Sequence, residues 1–153
     1  MKPKILTAIL VFSFLMFCSC NSLKGWNIGE MEKSAYPPVI PVTDAVMKIT
    51  AEKVEPDAEN VPVTIENLSD KEYGYGYEPL LELKYRDEWY VVPTLEDIAW
   101  IELWVILAPG ETNAESFPLA GYYGTLPAGT YRFVKVLNAG GEMLPVAAEF
   151  TVN

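Results

Sequence analysis

From residue 44 onward the sequence predicts an all-β domain, an antiparallel β-sandwich of about seven strands. Two observations carry that reading. Apolar residues recur at every second position in short runs, and each run ends in a cluster of turn-forming residues. The spacing of those turns suits two packed sheets that share one core. A third observation, the lack of any internal repeat or low-complexity block, makes one domain the economical organisation.

The elements follow in order. In "AVMKITAEKV", Val46, Lys48 and Thr50 alternate with Met47, Ile49 and Ala51. In "VPVTIENLSD", Val61, Val63 and Ile65 form one row before a polar turn at Asn67 to Lys71. "EYGYGYEP" then sets Tyr73, Tyr75 and Tyr77 on one face, and the same period reaches Leu81, Leu83 and Tyr85 with Glu78, Glu82 and Lys84 opposite. As the first half of an apolar row the tyrosines are expected to face the core and sandwich rim; a stacking platform for sugar rings is the alternative. Gly74 and Gly76 fall on the outer face, where they permit a bend or a close neighbour. Pro79 interrupts the row and could flip its register. "PLLELKYRDEWYVVP" reads as a hairpin turning at Arg86-Asp87-Glu88. "WIELWVILAPGET" reads as a strand ended by Pro109-Gly110, the glycine supplying the positive φ of a type II turn. "TLEDIAWIEL" just before it could begin as a helical turn. Residues 129–152 read as a final hairpin around Asn138 to Glu142.

Upstream of residue 44 the chain carries an address. "MKPK" is basic, and "ILTAILVFSFLMF" is an apolar run too short to span a bilayer as a helix. "CSCNS" follows. Cys20 is preceded by the small Ser19, whereas Cys18 is preceded by the bulky Phe17. The stretch resembles a bacterial lipoprotein signal, although Phe17 stands where leucine is usual; an ordinary secretory signal is the alternative. The resemblance implies cleavage before Cys20 and acyl chains on its sulfur and amine. The expected organisation is a signal peptide over 1–19, a lipidated N-terminus and proline-rich tether over 20–43, and the β-sandwich domain over 44–153. "YPPVIP" cannot be helical, because proline lacks the amide donor and biases its predecessor toward extended geometry.

At "LPAGTYRF" a glycine stands two positions before a tyrosine that opens a late strand. Gly129 and Tyr131 resemble the tyrosine corner of immunoglobulin-type sandwiches. With the order "VTIENLSDKEYGYGY…L…W…LAPGE…YGTLPAGTYRFVK…EF.V", the chain resembles bacterial immunoglobulin-like domains over about residues 61–152. The resemblance implies an immunoglobulin-like fold and an exported location, and it implies no reaction; with the lipoprotein-like signal, the expected location is the bacterial cell envelope, lipid-anchored and periplasmic or surface-facing. Past Cys20 there is no cysteine pair, so Trp89 cannot pack on a disulfide.

Composition excludes several chemistries. There is no histidine, which removes the commonest neutral-pH acid, base and metal ligand, and with it serine-histidine and cysteine-histidine nucleophiles. Neither "GxSxG" nor a phosphate-cradling glycine loop appears. Asp57, Glu59, Glu66 and Asp70 lack calcium-loop spacing and read as solvated surface, so no metal or cofactor is expected. The formal net charge of −10 repels phosphate backbones and anionic head groups. Nucleic acid is therefore a poor partner, and the lipid is expected to be the sole membrane anchor. The candidate ligand site is Trp100, Glu102 and Trp104: the three share one face, with Ile101, Leu103, Val105 and Leu107 on the other. Indoles stack on sugar rings, and a carboxylate accepts from hydroxyls. The expected function is non-catalytic binding of a protein partner or glycan; the alternative is a structural accessory subunit with no small-molecule ligand.

Overall fold

The computed structural model describes residues 22–23, 26–95, 98 and 102–153. In chain order the strands are β1 (Ser22–Leu23), β2 (Trp26–Asn27), β3 (Ala45–Ile49), β4 (Asn60–Asn67), β5 (Tyr73–Gly76), β6 (Leu80–Tyr85), β7 (Glu88–Val91), β8 (Trp104–Leu107), β9 (Thr112–Pro118), β10 (Gly129–Ala139) and β11 (Glu142–Val152). A 3-10 turn at Ile28–Glu30 and a short helix α1 (Ala120–Tyr123) complete them.

Two antiparallel sheets form the sandwich. The smaller has the order β3-β4-β9, with Val63 opposite Ile49 on one side and Glu115 on the other. The larger is built around β10. β11 pairs along its full length on one side, while β6 and β5 share its other side. β6 carries β7 as its outer neighbour, and β5 carries β8. β5 and β6 thus act as one strand broken at residues 77–79, and β7 and β8 as one edge broken by residues 92–103. β11 packs beside β3 and closes the opposite side of the sandwich.

Period-two alternation sets the core. Val61, Val63 and Ile65 of β4 face Tyr73, Tyr75, Leu81 and Leu83 of the larger sheet, and all are essentially inaccessible. Pro79 does not flip the register. It occupies a buried odd-numbered slot, and Leu81 stands an even step of six positions after Tyr75, so the pleat keeps its phase. An aromatic column fills the centre: Phe117 meets Phe133 edge-on at 5.0 Å, and Phe150 stacks between Phe133 (5.2 Å) and Tyr131 (5.6 Å).

The turns follow local chemistry. Gly110 has φ 72° in the Ala108–Glu111 turn, where Glu111 N–H donates to Ala108 O. Gly140 and Gly141, at φ 60° and 96°, make a two-residue hairpin whose conformation needs positive φ twice. At the β6–β7 turn only Arg86 and Asp87 lie outside the strands, and Glu88 already pairs with Tyr85.

Two expectations need correction. The segment read as a tether is tied down from Trp26 onward. Trp26 meets Tyr131 edge-on at 6.3 Å, Ile28 is buried, and residues 32–34 bond to β7. Extended proline-rich chain has unbonded carbonyls, and here the sheet supplies donors for them. Leu103, placed on the inward row, is 51% exposed, because the regular strand begins only at Trp104. A helical turn forms at α1, where Leu119 and Ala120 N–H bond to Glu59 O and Ala58 O across the end of the small sheet. The helical start considered at "TLEDIAWIEL" falls partly on residues 96–97 and 99–101, outside the described residues.

Candidate functional site

The functional question concentrates on the outer face of the larger sheet, which has a sealed half and an open half. The sealed half is built on charges that the register places opposite each other, Arg132 on β10 and Glu82 on β6. Both point away from the core yet are 1% and 0% exposed, because the N-terminal segment crosses over them. Arg132 Nε donates to Glu82 Oε2 at 2.6 Å, and Nη1 donates to Pro37 O (3.1 Å) and Pro38 O (3.3 Å). The guanidinium lies 4.3 Å from the Trp89 ring centroid, and Trp89 Nε1 donates to Pro38 O at 2.9 Å. This one cluster satisfies the prolyl carbonyls that no helix or ladder could.

The open half is built on β5 and β8. Tyr73 and Tyr75 turn inward, so Gly74 and Gly76 face out. Trp104, opposite Gly76, lays its indole diagonally over Gly74; a Cβ there would collide with Nε1, Cε2 and Cζ2 of the ring. Even so, Trp104 remains 60% exposed, with Ile106 (51%) beside it and Met143 (61%) across the same outer face. Asn67, at the end of β4, holds the far end of β8: its Nδ2 donates to Leu107 O (3.2 Å) and Ala108 O (3.0 Å). Glu102 is exposed just before the strand. Trp100, the third member of the trio, lies outside the described residues, as does Cys20.

Gly129 and Tyr131 open β10. Tyr131 Oη donates to Pro127 O at 2.7 Å, and a Cβ on Gly129 would press on Leu83 and the Tyr131 ring. Burial pushes the Tyr131 hydroxyl well above the usual tyrosine pKa, as it does for Tyr75 and Tyr123.

A second buried ion pair was missed by sequence reasoning. Lys135 occupies the inward phase of β10, after Tyr131 and Phe133, and Glu115 occupies the inward phase of β9. Their side chains are 1% and 4% exposed and meet between the sheets at 3.0 Å. Lys135 Nζ also donates to Gly76 O and Tyr77 O at 2.9 Å, and lies 4.8–4.9 Å from the Tyr75 and Phe117 ring centroids. Burial pulls the Lys135 pKa below the ordinary lysine value, and Glu115 works against that shift. A charged residue in phase with core aromatics on both strands was the signal that could have found this pair. The ammonium is spent on the Glu115 carboxylate and on two carbonyls, so the pair joins the sheets.

Among the described residues no group of three or more acidic, cysteine or histidine side chains is placed to hold a metal. A cleft of about 430 Å³ lies between Trp26, Met31, Val91 and Pro93, away from Trp104. No helix of the described residues is long and apolar enough to cross a membrane.

No curated protein matches the chain. A family model described as a bacterial Ig-like domain matches residues 42–151, from just before β3 almost to the end of β11. Domains of this kind are generally non-enzymatic binding or structural modules, and they are typically extracellular or surface-exposed. With two antiparallel sheets packed face to face around an alternating core, the chain belongs to the bacterial Ig-like domain family.

Proposed function

We propose that this is an exported lipoprotein, held in the bacterial cell envelope by acyl chains on Cys20, whose domain binds a protein partner or glycan through the open half of the large sheet. One observation carries the reading: Trp104 is seated on a glycine made to receive it and is still 60% exposed. An indole that served only packing would be expected under cover, as Trp89 is at 2%. Glu102 adds a carboxylate at the rim for hydroxyls or amides. The accessory-subunit reading requires Trp104 to be covered in the free protein.

The deciding experiment uses single-tryptophan variants of the acylated protein. Iodide should quench Trp104 fluorescence before any partner is added, and Trp104→Ala should abolish partner capture from envelope extracts while the urea midpoint stays put. Undiminished capture by Trp104→Ala would overturn the site. The anchor has its own test: Cys20→Ser should release the protein from membranes or block maturation, and an unmodified N-terminus at another residue would overturn it.

A further inference from the structure

The backbone of β8 narrows the partner's chemistry. Tyr77 N–H donates to Leu103 O at 3.1 Å, in the same register that sets Tyr75 opposite Val105 and Tyr73 opposite Leu107. In an antiparallel ladder, hydrogen-bonded and non-bonded pairs alternate. The odd residues Val105 and Leu107 therefore bond to β5. The even ones, Trp104 and Ile106, turn N–H and C=O outward, with no bond to them among the described residues. Donors, acceptors and two exposed apolar side chains thus line one bare edge that carries no charge, proline or bulge.

The other half of the same edge shows how such a row is satisfied. On β7, Val91 N–H donates to Glu32 O (2.8 Å) and Trp89 O accepts from Ser34 N–H (2.9 Å), with Lys33 opposite Tyr90. An extended piece of the chain's own N-terminus has been added there as a strand. β8 offers the same outward groups with nothing added among the described residues.

We propose that β8 takes an extended segment of a partner protein as an added strand, with apolar side chains at alternate positions and lysine or arginine flanking them. This rests on the binding-face reading above and specifies its occupant. Main-chain bonds to Trp104 and Ile106 supply the pairing, and alternate side chains pack on the indole and Ile106. Charge sets the flanks: Glu102 precedes the strand, Glu111 follows it with its carboxylate on Ala108 N–H (2.8 Å), Glu78 follows β5, and the chain's net charge is −10. Lys71, an exposed cation in the loop before β5, is already held by Glu142 (2.9 Å). A second copy fits poorly, because antiparallel β8–β8 pairing would bring Glu102 of each copy toward Glu111 of the other.

The test titrates full-length acylated protein in detergent with a short peptide of alternating valine and lysine. Its controls are a copy N-methylated at alternate residues and a copy with glutamate for lysine. Binding should slow hydrogen exchange at the Trp104 and Ile106 amides, and both controls should bind at least about tenfold more weakly, the loss expected for one or two hydrogen bonds. Ile106→Pro removes an outward donor without touching the β5 ladder, and should bind about tenfold less. Because the N-methylated control leaves the protein unaltered, the result stands even if Ile106→Pro does not fold. Equal binding of the N-methylated peptide, or unprotected Trp104 and Ile106 amides at saturation, overturns strand addition. A dimer of the free protein that dissolves in Ile106→Pro also overturns it, in favour of a second copy. If strand addition fails while Trp104→Ala still abolishes capture, the face is a side-chain platform and the broader reading survives.

Discussion

β7 and β8 run along the same edge of the same sheet, each four residues long and each bonded to one half of a broken strand. Their surroundings differ in every other respect. β7 has residues 32–34 added to its edge, and beside it Trp89 is roofed by Pro38 and Arg132. β8 has an exposed tryptophan lying on a glycine and no added strand among the described residues. The difference teaches what an edge needs to be finished. Where the chain covers it, a buried arginine is required to satisfy the carbonyls of the covering segment. Where the chain leaves it, side chains alone shield the backbone.

The largest effect expected on this comparison comes from the roof. Arg132→Ala should destabilise by about 3–5 kcal/mol, because it strands the Glu82 carboxylate in a dry site and frees the prolyl carbonyls. Glu82 Oε1 already lacks a hydrogen-bond partner among the described residues. The double change Glu82→Leu with Arg132→Met should recover most of the loss in a urea titration. A small cost for Arg132→Ala alone would mean that the segment over residues 37–38 is not held by this cluster.

The core beneath both halves should fail in alkali. Tyr75, Tyr123 and Tyr131 all have pKa values raised by burial. A raised folded pKa means that the stability is intact below about pH 10, where unfolded tyrosine begins to ionise, and is lost as pH rises beyond it, by about 1.4 kcal/mol per unit for each group. Lys135 acts in the opposite sense, since a lowered pKa makes the folded state release its proton first, but it is one group against these three and Tyr73, whose pKa burial also raises. Urea midpoints at pH 9, 10 and 11 should fall steeply only over the last step. Tyr75→Phe under the open half and Tyr131→Phe under the sealed half should each flatten the fall.

At neutral pH, Tyr131→Phe should cost about 0.5–1.5 kcal/mol, one net hydrogen bond to Pro127 O. An unchanged midpoint with the same m-value would remove Tyr131 from any role in fixing that loop. The smallest effect belongs to the open half. Gly74→Ala should push the indole aside for less than about 1 kcal/mol, since the exposed ring can swing into solvent. Its readout is a red shift of Trp104 emission in a single-tryptophan background. A cost several times larger would show that the indole is part of the sheet's structure.

Much of this architecture was legible because it is local. Period-two alternation places Val61, Val63, Ile65, Tyr73, Tyr75, Leu81 and Leu83 inward. The pairs Pro109-Gly110 and Gly140-Gly141 mark turns through backbone conformations that side chains resist. The phase that points Trp104 outward comes from the same alternation. Residues 26–38 were misread because an extended segment without period looks the same whether it is free or docked. Its partners, Trp89 and Arg132, lie some fifty to a hundred positions away.

What the sequence by itself determined is therefore the strand phase, the turn positions, the charge and the absence of histidine chemistry, each fixed by neighbouring residues or composition. What only the tertiary structure decided is coverage. Lys135 could be assigned a partner only once β9 faced β10 across the core, and the outward row of β10 became a buried ion pair only once the N-terminal segment crossed it. Whether an outward side chain is surface or interior depends on what long-range contact lays over it. In this sheet, among the described residues, that contact reaches β7 and stops short of β8.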